Sequence, residues 1–371
     1  MELYLPVTKG SQGGHTIYCA MVSYAELSQC FIFDDEDLPV ELRQQRDINE
    51  KRADSFFKYM EENEQSYVSG SLTGTYNKEV EFIPLDNPFA SDKLGLLKIP
   101  STSRICLCDG QHRQAGIAAY FDAHPDQGHQ CIPVKLYFAD TVERKQQIFA
   151  DINGHTVKPS ASLAITFDHR TAMNTFVKEL LEELPHIKSK VDMSNASVGS
   201  KSQKLWPVVS FKRTLCHLLG LSEKQFAEEV DSNQVREQIK QICVNFFNGL
   251  AYVPYYQSMI DGKLDLVEAR QEKVVSHAVF LEALGVYGNA LLLTFDDNGA
   301  EDWGMMANLK NIDVTKMNSD WRGRCVNING TMNKSAFGVK STAAMICSKA
   351  NIPLTDDLQK FEQRVTESLN P

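Results

Sequence analysis

Residues 104–121 read RICLCDGQHRQAGIAAYF, a short apolar run, an abrupt polar cluster, then small and apolar residues at helical spacing. The apolar run suits a buried strand, and the pattern after it suits a helix packed on that strand. An acid, a glycine, an amide, an imidazole and a guanidinium therefore sit at the joint between two buried elements. A strand that turns into a helix within five polar residues commits this region to an α/β layer.

The flanking sequence repeats that alternation. HTIYCAMVSY (15–24) reads as a strand, and LPVELRQQRDINEKRADSFFKYMEEN (38–63) as a helix starting after Pro39. SYVSGSLTGTY (66–76) predicts a strand or hairpin, and Leu85 to Lys98, with Pro88 and Gly95, reads as loop. CIPVKLYF (131–138) is a second clear strand and TVERKQQIFADIN (141–153) a helix. After about residue 165 strand signals become rare and long helical patterns take over. The expected fold class is α+β: an α/β N-terminal domain over 1–165 and a largely α-helical C-terminal domain over 166–371. Within the second, VDMSNASVGSKSQ (191–203) has the composition of a linker or mobile loop.

A length of 371 residues exceeds what one core usually organises, and 43% hydrophobic with 23% charged residues fits a globular protein. No run reaches the roughly 18 apolar residues that span a bilayer, and the first residues lack a secretion signal, so the cytoplasm is the expected location. Nine cysteines are scattered, and the one close pair, Cys106 and Cys108, lacks a second pair at ligand spacing, which favours reduced buried thiols over zinc. No GxSxG, HExxH or GxxxxGK[ST] is present. A net charge of −10 argues against the whole surface wrapping nucleic acid.

At the joint, the unpaired amides and dipole of the helix favour an anion. Gly110 permits a positive φ or close backbone approach. His112 and Arg113 are cations where the dipole disfavours them, which points to an external anion such as phosphate. Asp109 either caps the helix or holds Arg113, His112 or a magnesium ion. The plainer alternative is a cap, a turn and two solvated side chains.

DGQHR at such a joint is the naming motif of the DGQHR-domain family, which resembles the ParB/sulfiredoxin nucleotide-binding superfamily. Within it the chain is most similar to the regulators of bacterial DNA phosphorothioation (DNA sulfur modification) systems, with RQQRDINEKR (43–52), FADINGHTVKPSASL (149–163) and DWRGRCVNINGTM (320–332) as supporting segments. The resemblance implies a ParB/sulfiredoxin-like N-terminal domain whose phosphate loop is Gly110, Gln111, His112 and Arg113, led by Asp109. It implies ATP or another nucleoside triphosphate, with magnesium at Asp109. It further implies a nucleotide-responsive, DNA-binding transcriptional regulator whose partners are DNA, nucleotide and other modification proteins. Two alternatives stand beside it. One is an ATPase or phosphoryl or nucleotidyl transferase, with His112 as acid, base or phosphate ligand, Arg113 as charge stabiliser and Asp109 as metal ligand or orienting base. The other is a non-catalytic scaffold.

Further residues are candidates for the same ligand. Asn153 and Lys158 could reach it from the FADINGHTVK turn, although Gly154 as a C′ residue would equally explain that helix's end. Arg46 either points into the pocket or pairs with Glu50 on a solvated face. Two basic stretches could meet DNA. One, 186–215, has six cations against Asp192 and includes Lys201, Lys204, Lys212 and Arg213; the other, 310–340, has six against two acids and includes Arg322 and Arg324. Trp206 and Trp321 within them could stack on bases or be buried. A repressor reading paired half-sites would be a homo-oligomer, though no dimer seam is legible.

Overall fold

The computed structural model describes residues 2–32, 50–86, 92–103, 105–155, 158–295 and 302–369. The chain divides into two compact units, Met1–Val157 and Lys158–Pro371. The fold is mixed α+β, with the long strands in the first unit and mainly helices in the second.

The first unit opens with a hairpin of β1 (Leu3–Gln12) and β2 (His15–Ser23). Its turn is Gly13–Gly14 at φ 56° and 78°, the left-handed pair that a two-residue hairpin demands. Then follow α1 (Tyr24–Cys30), β3 (Phe31–Ile32), α2 (Glu50–Glu62), β4 (Leu72–Tyr76), β5 (Glu81–Pro84) and β6 (Leu94–Ile99). β7 (Ile105–Asp109), α3 (Gln111–Ala123), β8 (Cys131–Phe138) and α4 (Val142–Gly154) complete it. Eight strands form one sheet in the order β3-β7-β4-β8-β2-β1-β6-β5.

The segment read as loop, Leu85 to Lys98, carries most of β6. Gly95 masked it, because glycine weakens a strand signal. It is required here by close backbone approach, since a Cβ would lie 2.2 Å from the Ile83 carbonyl on β5.

Two pairings around β4 fix where strand ends point. β4 runs parallel to β8, with Thr73 opposite Lys135 and Tyr76 opposite Phe138. It runs antiparallel to β7, with Thr73 opposite Asp109 and Tyr76 opposite Ile105. The carboxyl ends of β4 and β8 thus share one edge, and the carboxyl end of β7, with DGQHR, lies at the other.

On one face of the sheet Tyr24, Leu27, Met60, Ile117 and Tyr120 from α1, α2 and α3 pack with Leu72, Val134 and Leu136. α2 and α3 approach closely at Gly116, where a Cβ would stand 2.9 Å from the Ala53 carbonyl and 3.0 Å from the Phe56 ring. Cys108, the next residue after Leu107 and so on the opposite face, packs with Ala139 and Ile148, and Ile152 of α4 joins them.

The second unit is built from α5 (Ala161–Phe167), α6 (Ala172–Glu183), α7 (Val208–Leu219), α8 (Glu223–Glu229), α9 (Asn233–Gly249), α10 (Ala278–Leu292), α11 (Ala336–Ala350) and α12 (Asp356–Leu369). α10 is its axis, buried on nearly every side. Gly285 and Gly288 let α7 come close, since Cβ atoms there would each lie 2.5 Å from a neighbour, the Thr214 carbonyl and Leu218 respectively. The segment with linker composition is fastened: Arg270 donates to the carbonyls of Ser200, Ser202 and Lys204 at 2.8, 3.1 and 2.6 Å.

Candidate functional site

β7 ends on Asp109 and α3 starts two residues later, so Gly110 alone turns the chain. It is the N-cap at φ 94°, and a Cβ would lie 2.4 Å from Leu72. Conformation and space both demand glycine. A glycine has no side chain to cap with, and among the described residues no other side chain does so. The first intrahelical bond is Gln114 N–H to the Gly110 carbonyl at 2.9 Å, leaving the amides of Gln111, His112 and Arg113 without intrahelical acceptors.

The side chains around this open turn are differently occupied. Gln111 folds back, donating through Nε2 to the Leu107 carbonyl at 3.1 Å. Asp109 does not cap; its Oδ2 accepts from Arg113 Nη2 at 3.0 Å, with both side chains partly exposed. The guanidinium lies across both Gly110 and Gly70, where a Cβ would come within 2.8 Å of Nη1. Burial, and then the nearby Arg52 charge, push the His112 imidazole below its ordinary range. His112 is therefore mainly neutral near pH 7. The conflict predicted between two cations and the helix dipole is relieved inside the chain, by a neutral imidazole and a paired arginine. The open amides remain as the feature that invites an anion.

Arg52 was missed in the sequence, where Arg46 of the same segment drew attention; Arg46 lies outside the described residues. Nothing local distinguishes the two arginines, because Arg52 reaches His112 only through the docking of α2 on α3. Asn153 sits in the last turn of α4, beside the Ile152 that packs on Cys108, but its Nδ2 donates to the Phe149 carbonyl at 2.9 Å. Gly154 is not a left-handed C′ residue: the helix includes it and ends at His155, φ −108°. Lys158 belongs to the second unit and is exposed.

A nucleoside triphosphate fits the cradle in one respect, since the turn offers the uncapped backbone donors of Gln111, His112 and Arg113. A resident magnesium ion fits less well: the Asp109 carboxylate is held by Arg113, and no group of three His, Cys, Asp or Glu among the described residues is arranged to hold a metal.

A profile of the DndB family, described as DNA-sulfur modification-associated, matches residues 5–353. The chain belongs to the DndB family. Membership ties it to DNA sulfur modification, and the matched span includes both the DGQHR joint and the basic stretches of the helical unit. No curated protein and no solved structure matches the chain.

The basic stretches of this DndB-family chain prove uneven. Lys201, Arg213 and Arg322 are exposed. Lys204 is half-buried and donates to the Ser189 carbonyl at 2.8 Å. Lys212 is buried and pairs with Glu223 at 2.8 Å. Arg324 is 4% exposed and makes a two-pronged pair with Glu362 at 2.6 and 2.7 Å. Lys188, Lys334 and Lys340 likewise pair with Glu182, Glu282 and Asp357. Counting acids within each stretch overstated the local charge, because the fold brings carboxylates from elsewhere. Trp206 stacks on Tyr256 and Trp321 packs edge-on against Phe280, both 1% exposed, so neither ring can meet a base. Among the described residues no helix is long and apolar enough to cross a membrane.

Proposed function

We propose that this protein is a nucleotide-responsive, DNA-binding regulator of its DNA sulfur-modification operon. In this reading the first unit is a ParB/sulfiredoxin-like domain that holds the phosphates of ATP or a related triphosphate at DGQHR. The observation that carries it is the uncapped first turn of a 13-residue helix behind a glycine that nothing else can replace. The amides of Gln111, His112 and Arg113 would bind phosphate oxygens. His112, neutral beforehand, would gain a proton as negative charge arrives, and Arg113 would share its guanidinium between Asp109 and the ligand. Asn153 and Arg52 would border the site. ATP supplies a polyphosphate whose presence differs between metabolic states; no step is routed through magnesium.

DNA would meet the exposed cations Lys201, Arg213 and Arg322, and nucleotide would shift DNA affinity by the roughly 5- to 150-fold typical of coupled sites. The test is DNA binding by the full chain across a salt series, with and without ATP. An unchanged affinity at every salt concentration rejects the switch. The neutral His112 also favours a second reading, phosphoryl transfer with the imidazole as base. Phosphate release that is equal in wild type and His112→Ala rejects that one.

A further inference from the structure

At the sheet edge opposite DGQHR, where the carboxyl ends of β4 and β8 lie side by side, there is a cleft of about 720 Å³. Open α/β sheets place ligands outside the carboxyl ends of parallel strands, and β4 and β8 are such a pair. The volume falls in the range of small-molecule sites, roughly 300–1,000 Å³.

Its lining combines two kinds of group. Tyr76 and Phe138, the last residues of β4 and β8, face each other with ring centroids 5.6 Å apart, and Phe138 is 40% exposed. Around them stand Glu79, Asp140 and Arg144. Asp140 and Arg144 have the i,i+4 spacing that would let them pair, yet among the described residues neither they nor Glu79 has an ion pair or side-chain hydrogen bond. Three unpaired charges of both signs converging on an aromatic surface await a ligand with complementary groups. Two carboxylates against one guanidinium disfavour a triphosphate and leave room for one phosphate at most. They suit the amines of a base and the hydroxyls of a sugar.

We propose that this cleft binds a nucleoside or nucleoside monophosphate, its base on the exposed Phe138 ring that Tyr76 backs from below, its hydroxyls and amines at Asp140 and Glu79, and a single phosphate at Arg144. This site stands apart from the phosphate cradle at DGQHR and does not depend on it.

Calorimetry of the full chain with adenosine, cytidine and their monophosphates tests it. Saturable binding is expected. Phe138→Ala and Asp140→Asn should each weaken it at least tenfold. Arg144→Ala should weaken the monophosphates and leave the nucleosides, while Arg113→Ala should change neither. Asp140 is exposed, so its isosteric variant keeps the test valid should Phe138→Ala unfold. No binding at millimolar nucleoside or monophosphate overturns the proposal. So does binding that survives Asp140→Asn and Arg144→Ala but is lost in Arg113→Ala, and so does a preference for free arginine, which would make the site one for organic cations.

Discussion

Two strand-to-helix joints in the first unit share a spacing, Asp-x-x-x-Arg. After β7 it is Asp109 to Arg113, and after β8 it is Asp140 to Arg144. In the first the arginine and aspartate are paired at 3.0 Å and the helix amides are open. In the second the pair is not made, and Thr141 caps the helix by accepting from the Arg144 amide at 3.2 Å. Where backbone donors are available the side-chain charges are engaged, and where the backbone is capped the side-chain charges are free. The glycine-threonine difference at the N-cap decides which part of each joint faces a ligand. The two edges should therefore select different chemistry, an anion read by amides at one and a polar planar molecule read by side chains at the other.

The distinction between engaged and free charges gives its largest expected effect in the helical unit. Arg324→Ala should cost about 3 kcal/mol, since it empties a buried site and strands Glu362, whereas Arg322→Ala should leave stability within about 0.5 kcal/mol. Urea unfolding of both variants measures this, and equal midpoints would show that burial does not separate the two arginines. At the joints, Gly110→Ala should cost about 2–4 kcal/mol through the strained φ and the clash with Leu72, against about 1 kcal/mol for Thr141→Ala, which removes only a cap. Comparable losses would erase the asymmetry.

Asp109→Asn should alter stability by less than about 1 kcal/mol, because the pair with Arg113 is partly exposed and screened. It should tighten ATP binding several-fold if Asp109 only restrains Arg113, and calorimetry showing weaker binding would assign the carboxylate to the ligand instead. The smallest effect concerns pH. With its folded pKa lowered, His112 takes up a proton more readily in the unfolded chain, so its stabilising contribution is present above the unfolded value, about 6.5, and is lost as pH falls below it. A phosphate at the joint reverses the shift. Titration of the His112 ring protons by NMR should give a midpoint below that of a free histidine without nucleotide and a higher one with it.

Much of the fold was legible where local pattern and burial agree. The helix at Gln111–Ala123 and the strand at Cys131–Phe138 coincide with their sequence patterns. β1 was not legible, because Pro6, Lys9 and Gly10 interrupt its alternation, and β6 was hidden by Gly95. DGQHR showed itself because its residues are contiguous. Asp140 and Arg144 did not, since the same letters on an ordinary helix would pair, and only the fold reveals that they remain apart. Lys212 and Arg324 misled for the converse reason: Glu223 and Glu362 are 11 and 38 residues away in the chain, and proximity in sequence cannot foresee them.

Gly116 has a consequence beyond packing. Because it allows two helices to touch, it sets the distance at which a charge carried by one is felt by an imidazole on the other. A bulkier residue there would push Arg52 outward and weaken the smaller of the two influences that lower the proton affinity of His112, burial being the larger. Protonation of that one ring thus answers to how closely the two helices sit, through its burial and through the neighbouring charge alike.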